Sequence, residues 1–311
     1  MSDKADKIQE MKELDIVYTE KYLTYDLGEG NPIVRTKTQD FLRKIKEKKG
    51  FSYHIWEPQK ATEQDLLLVH TAKYLKELER LAANNLEFDP DTPVNRGMIE
   101  GGLYIVGGTI MCLDLALQDK KVVNLIGGMH HAGSYQASGF CIYNDHAIAI
   151  RKLQKEGKIK KAAVLDLDVH AGQGTQEIFY KDPSVLTVSI HQDPHTIYPG
   201  VGFESQRGDG EGYGTNINVP LPPLTGEDSY LRALDSVMPH IDKFNPDIKV
   251  LVLGVDTYEE DYLGGFRLKV DSFRKIGEKL KDWPKLAVLF GGGYSTKIPD
   301  LWMSFLDGYL K

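Results

Sequence analysis

Apolar residues come along this chain in short, dense runs, separated by longer stretches in which they recur every three or four positions. The dense runs predict strands at DIVYT (15–19), YHIW (53–56), VVNLIG (122–127), AAVLDLDV (162–169), VLTVSIH (185–191), TNINVPL (215–221), IKVLVLGV (248–255) and KLAVLFGG (285–292). Several are nearly continuous β-branched and leucine runs, as expected of strands buried on both faces in a parallel sheet. The spaced pattern predicts helices over 37–49, 63–83, 96–118, 144–156, 227–243, 269–282 and 298–310. Alternation of the two implies an α/β fold. The expectation is a single domain over 1–311, with about eight mainly parallel strands and helices on both faces. The one long irregular stretch, 191–214, is rich in Gly, Pro and Asp. A loop of that length in a compact domain points to function.

Composition narrows the partners. A net charge of −7 argues against direct contact with nucleic acid, which needs a basic face, and suits cationic substrates. The two cysteines, Cys112 and Cys141, make no disulfide framework, so a reducing compartment is expected. No apolar run approaches a membrane span, and MSDKADKIQEMKEL lacks the apolar core of a signal peptide. These features predict a soluble cytoplasmic protein without a membrane partner.

In a doubly wound sheet, chemistry gathers beyond the carboxyl ends of the strands. The segments there are GGMHHAGSYQASGFCIYND after 122–127, HAGQGT after 162–169, QDPHTIYPGVG after 185–191, DTYEEDYLGG after 248–255 and GGYS after 285–292. Asp168 and His170 stand two apart, on one face of an extended strand. With Asp256 they offer two carboxylates and an imidazole, leaving a coordination position open, as in catalytic zinc sites. Iron(II) suits the same set. The same Asp-x-Asp could instead cap a turn or helix amides. The adjacent His130 and His131 suggest general acid–base groups, each needing an acceptor to fix its tautomer, and Asp166 could serve one of them. Tyr294 follows three glycines that permit close backbone approach, so its phenol could stabilise an oxyanion. The alternative is a tyrosine packed beneath a loop. Together these groups point to metal-assisted hydrolysis of an amide.

VYTEKYLTYDLGEG, GGMHHA, ASGFCIYND, DLDVHAGQGTQE, SIHQ, YPGVG, the D-x4-D-x-LGG of Asp256 to Gly265, and GGGY occur in order over nearly the whole chain. The sequence thereby resembles the zinc-dependent histone deacetylase superfamily, which includes acetoin-utilisation-type proteins and acetylpolyamine amidohydrolases. The resemblance implies an arginase/deacetylase-like fold and zinc on Asp168, His170 and Asp256. It implies proton transfer by His130 and His131, polarisation of an acetyl carbonyl by Tyr294, and a tunnel walled by Gly139, Phe140 and Tyr198 with Leu263 at its mouth. Asp91 corresponds to a rim aspartate that grips substrate. A structural potassium or sodium ion is implied at Asp166, Asp168, His170, Ser189 and Ile190. The implied substrates are an acetylated lysine side chain or an acetylated polyamine.

The sequence departs from the family pattern at several points. Gln173 stands where an acidic or amide residue normally orients the second histidine, and it would raise the His131 pKa less than a carboxylate would. Tyr198 stands where phenylalanine is common, and GNPIVRTK (30–37), with Arg35, replaces a His-Pro-containing run. His146 and His195 are read as surface or loop histidines, and the acidic cluster Thr257 to Asp261 as a solvated loop. Two other functions compete: a non-catalytic binder of acylated lysine, and a dinuclear manganese ureohydrolase. The latter lacks a second aspartate two residues beyond Asp256.

Overall fold

The computed structural model describes residues 12–29, 31–33, 36–48 and 50–311. Arg35 and most of the MSDKADKIQEMKEL segment lie outside these. The strands are β1 (Lys12–Val17), β2 (Phe51–Trp56), β3 (Glu87–Asp89), β4 (Thr92–Pro93), β5 (Val122–Asn124), β6 (Ala162–Asp166), β7 (Val185–Gln192), β8 (Asn216–Leu221), β9 (Ile248–Leu253) and β10 (Leu286–Phe290). The helices are α1 (Lys37–Glu47), α2 (Glu63–Leu66), α3 (Ala72–Asn84), α4 (Arg96–Ala116), α5 (Asp145–Lys155), α6 (Gln173–Phe179), α7 (Glu227–Phe244), α8 (Val270–Leu280) and α9 (Ile298–Tyr309).

Eight strands form one sheet in the order β2-β1-β5-β10-β9-β6-β7-β8. Every pairing in it is parallel. The near-continuous apolar runs arise because alternate residues of one strand enter opposite cores. On β9, Leu251 and Leu253 join the core beneath α1, α7, α8 and α9. Ile248, Val250 and Val252 face the other way, toward α4, α5 and α6. A third cluster packs α3 against the outer side of α4.

Three local features depart from the periodicity reading. The expected helix 63–83 is two helices, because Thr62 caps α2 through Asp65 N and Thr71 caps α3 through Tyr74 N. The short α6 and the antiparallel β3–β4 hairpin give too few residues for a periodic signal. Among the described residues, α4 is long and apolar enough by composition to cross a membrane, which corrects the expectation that no such run exists. Its Cys112, Leu113 and Ala116 are fully packed in the core, so the apolarity serves burial between the sheet and α3.

Candidate active site at the strand ends

The sheet delivers its chemistry where β5, β6, β9 and β10 end. β6 stops at Asp166, so Asp168 and His170 stand in the bend that follows and not on one face of an extended strand, as periodicity implied. The bend is held by the carboxylates themselves. Asp166 Oδ1 accepts from the Asp168 amide at 3.1 Å, and Asp168 Oδ1 accepts from the His170 amide at 3.0 Å. Asp256 Oδ1, arriving from β9, accepts from the Val169 amide at 2.9 Å. His170 Nδ1 thereby lies 3.0 Å from Asp168 Oδ1 and 3.2 Å from Asp256 Oδ2.

One donor atom from each of Asp168, His170 and Asp256 lies within 4.8 Å of the others, and all three residues are buried. Asp256 Oδ2 is buried with no hydrogen-bond partner. Burial, and then the charge of Asp168, push the Asp256 carboxyl up to about 8. Ionising that buried carboxyl beside Asp168 calls for a cation. Glycines keep the space beside it open: a Cβ on Gly292 would sit 2.3 Å from Asp168 Oδ2 and 2.8 Å from Asp256 Oδ2. The donor set, its burial and the unpaired oxygen fit a divalent metal with an open position. No second group of three such donors is present among the described residues. That disfavours a dinuclear centre.

His130 and His131 follow β5 and form a hydrogen-bonded relay. His130 Nδ1 is 2.7 Å from Asp166 Oδ2, the two Nε2 atoms are 3.0 Å apart, and His131 Nδ1 is 2.6 Å from Gln173 Oε1. An amide oxygen only accepts, so His131 Nδ1 carries hydrogen and its Nε2 holds a lone pair. His130 Nε2 then donates to it, and His130 Nδ1 donates to Asp166. Electrostatics agree with that assignment. Burial opposes a charge on His130, but Asp166 and Asp168 outweigh it and hold its pKa at about 9. Burial, together with the cationic neighbours His130 and His170, drives His131 well below the ordinary histidine value. One histidine is a cation and the other a neutral base.

A cleft of about 620 Å³ reaches this centre, with His131, Gly139, Phe140, His170, Tyr198, Leu263 and Tyr294 among its walls. Gly139 and Phe140 both turn through positive φ (51° and 69°). The turn is clamped by Thr92 Oγ1, which accepts from the Phe140 amide, and by Tyr25, whose hydroxyl donates to the Phe140 carbonyl. The Phe140 and Tyr294 rings meet edge to face at 6.1 Å. Burial and the charges of Asp256 and Asp168 raise Tyr294 well above the usual phenol value, so it stays a donor. Asp91 stands at the mouth, on the unforeseen β3–β4 hairpin, with Glu87 and Glu29 also lining the cleft. Ser189 pairs in register with Asp166, so two of the residues expected to hold a monovalent cation are neighbours across β6 and β7.

Some residues were read differently from the sequence. His146 is fully buried on α5, with Nε2 2.7 Å from Thr175 Oγ1, and is not a surface histidine. His195 is exposed, bonded to Asp193, as expected. In the acidic cluster Glu259 and Glu260 are solvated, but Asp261 is buried and accepts from the amides of Leu263, Tyr294 and Ser295. It holds Tyr294 in place, and its only sequence signal was its spacing from Asp256. Lys37, the buried first residue of α1, lines an inner pocket together with Phe140, and its sequence pattern is that of an ordinary helix lysine. Burial pulls its pKa down to about 8 against the attraction of Asp256, Asp168 and Asp261.

The family model described as histone deacetylase domain matches residues 31–308. The chain belongs to the histone deacetylase family. A probable deacetylase of Archaeoglobus fulgidus is 33% identical over 299 residues, covering 91% of this chain and 81% of that protein. The crystal structure of a histone deacetylase homolog from Aquifex aeolicus superposes with a TM-score of 0.87 at 28% identity, covering 96% of this chain and 84% of that one. An acetylpolyamine aminohydrolase from Burkholderia pseudomallei superposes with a TM-score of 0.84 at 25% identity, covering 95% and 98%. This histone deacetylase family member is therefore a hydrolytic deacetylase acting on an acetylated substrate. Its family generally uses a metal, typically zinc.

Proposed function

We propose that this deacetylase removes the acetyl group from an amine whose remainder is cationic, an acetylated polyamine ahead of an acetyl-lysine peptide. The observation that carries the substrate class is the outer cleft. Glu29, Glu87 and Asp91 line it, and no lysine or arginine does so among its described residues. Such a mouth attracts a second ammonium and repels anions. The Burkholderia pseudomallei structural relative, named for acetylpolyamine, supports the same choice.

Asp168, His170 and Asp256 would hold zinc, and iron(II) fits the same donors. A potassium or sodium ion at Asp166, Asp168, His170, Ser189 and Ile190 belongs to the same reading. When bound, the catalytic metal supplies a Lewis acid that polarises the acetyl carbonyl and makes water more acidic. The chain's own groups do the rest. Phe140 and Tyr198 flank the aliphatic stem and exclude water. The Tyr294 hydroxyl donates to the carbonyl oxygen as negative charge gathers there. His131 accepts the proton of the attacking water at Nε2 once that lone pair turns from the His130 N–H to the water, with Nδ1 already committed to Gln173. The same nitrogen returns that proton to the departing amine. His130, kept cationic by Asp166, adds positive charge beside His131.

The test is acetate release by zinc-loaded protein from an acetylated diamine and an acetyl-lysine peptide, side by side. The expected result is a higher kcat/KM for the diamine, a preference that shrinks as salt rises, and loss of both activities in Asp168→Ala. Equal kcat/KM for the two substrates would refute the substrate class. No acetate from either, with zinc bound, would favour a non-catalytic acyl-lysine binder.

A further inference from the structure

Gln173 gives this site a problem that a carboxylate would not. An amide has one accepting end and one donating end. With Oε1 toward His131, that ring keeps hydrogen on Nδ1 and a lone pair on Nε2. With the amide turned over, its NH₂ would face Nδ1, the hydrogen would move to Nε2, and the nitrogen facing the cleft could no longer accept a proton. The sequence at 173 therefore demands something that fixes which end points inward.

Two hydroxyls stand at the other end of the amide. Gln173 Nε2 lies 3.3 Å from the Tyr198 hydroxyl and 3.4 Å from Ser138 Oγ. The two hydroxyls are hydrogen-bonded to each other. That mutual bond uses one of their two hydrogens, so the pair offers two acceptor oxygens but one spare donor. It can take both hydrogens of an NH₂ group, whereas a turned amide oxygen would receive one bond. The preference is therefore for the orientation that keeps His131 a base. Both partners are themselves fixed. Ser138 sits in a two-way backbone bridge with Cys141, and the Tyr198 ring stands 5.1 Å from the His131 ring at 80°.

We propose that Tyr198 and Ser138 are positioning residues that lock the Gln173 amide and so set the tautomer of His131. In this chain the hydroxyl of Tyr198 accompanies glutamine at 173: the amide creates the need that the phenol meets. The kinetic part of this inference rests on His131 being the base. The tautomer part does not.

The test uses zinc-loaded protein with ¹⁵N-labelled histidine, whose ring nitrogens report which atom carries hydrogen, together with kcat. Wild type should show His131 Nδ1 fully protonated. In Tyr198→Phe each amide orientation has one bond to Ser138, and only the hydrogen bond from His130 to His131 Nε2 still opposes the turned amide. The Nδ1 signal should then report a mixture, and kcat should fall in step with the turned fraction. In a Gln173→Glu background the acceptor cannot turn over, so adding Tyr198→Phe should leave Nδ1 fully protonated. A His131 signal that stays purely Nδ1–H in Tyr198→Phe would overturn the lock. So would a mixture that persists in the Gln173→Glu, Tyr198→Phe double variant. Absence of turnover in wild type would count against the proposed reaction and leave the nitrogen signals to decide the lock.

Discussion

The sharpest consequence of this geometry concerns Gly292. It lies in the turn after β10, and its backbone is not in the left-handed region, so the requirement is for space. An alanine Cβ there would meet Asp168 Oδ2 at 2.3 Å and Asp256 Oδ2 at 2.8 Å. Ordinary carbon–oxygen contact starts near 3.4 Å, so a carboxylate must retreat by about 1 Å. Metal sites tolerate ligand displacements of only about 0.2 Å. Gly292→Ala should therefore remove a ligand from productive range and weaken zinc binding by at least ~100-fold, about 2.7 kcal/mol. Competition against a chromophoric chelator measures that directly, with far-UV circular dichroism and the thermal midpoint to confirm a native fold. Gly226→Ala is the matched control, since an added Cβ there meets nothing within 4 Å. A natively folded Gly292→Ala protein with wild-type zinc affinity would refute the placement of the metal.

Asp261→Ala should leave the amides of Leu263, Tyr294 and Ser295 without their acceptor. The expected cost is about 2 kcal/mol or more in urea unfolding, with kcat at least tenfold lower as Tyr294 loses its anchor. The His130–Asp166 pair should make metal-free protein pH-sensitive. The folded pKa of His130, about 9, lies above the ordinary histidine value of 6.5. Its stabilisation is thus complete below pH 6.5 and lost as pH rises through 9. Denaturant midpoints from pH 6 to 10 should fall across that window, and Asp166→Asn should flatten the fall. Zinc binding near neutral pH should release at least one proton. Asp168 and Asp256 overcome burial to hold His170 at about 10, while Asp256 itself is pushed up to about 8. A metal must displace what these groups carry. Calorimetry in buffers of differing ionisation enthalpy reads the number, and a value of zero would contradict the protons placed on His170 and Asp256.

Much of the fold could be read because its sheet is central and buried on both sides. Runs such as IKVLVL and LAVLF carry an unambiguous burial signal along β9 and β10. The strand-end rule, applied to the sequence alone, points to the region of Asp168, His170, Asp256, His130 and Tyr294. What escaped was set by single hydrogen bonds or by tertiary burial. Thr71 divides one amphipathic pattern into two helices through one cap. Asp261 and Glu260 are adjacent acids in sequence, yet one faces three backbone amides and the other faces solvent. Lys37 and His146 are polar residues on amphipathic helices, and only the packing of α1 and α5 reveals that both are buried.

The density of aspartates here has a structural reason beyond metal binding. Asp166 gives one oxygen to the Asp168 amide and the other to His130. Asp168 holds the His170 amide with Oδ1, and Oδ2 projects into the space beside Gly254 and Gly292. Asp256 holds Val169 with one oxygen and leaves the other without a hydrogen bond, facing His170 Nδ1 at 3.2 Å. In each case one oxygen shapes the loop and the second meets the chemistry. Bends at strand ends have amides that no neighbouring strand accepts, and buried amides need an acceptor. Short acidic side chains meet that need while adding charge at the one place where a cation and a charged histidine repay it. The spacing in DLDVH follows from this: alternate residues fold inward because each carboxylate accepts from the amide two residues on. Replacing any one of these aspartates with an apolar residue would loosen a loop and unbalance a charge in a single step, so stability and metal affinity should fall together.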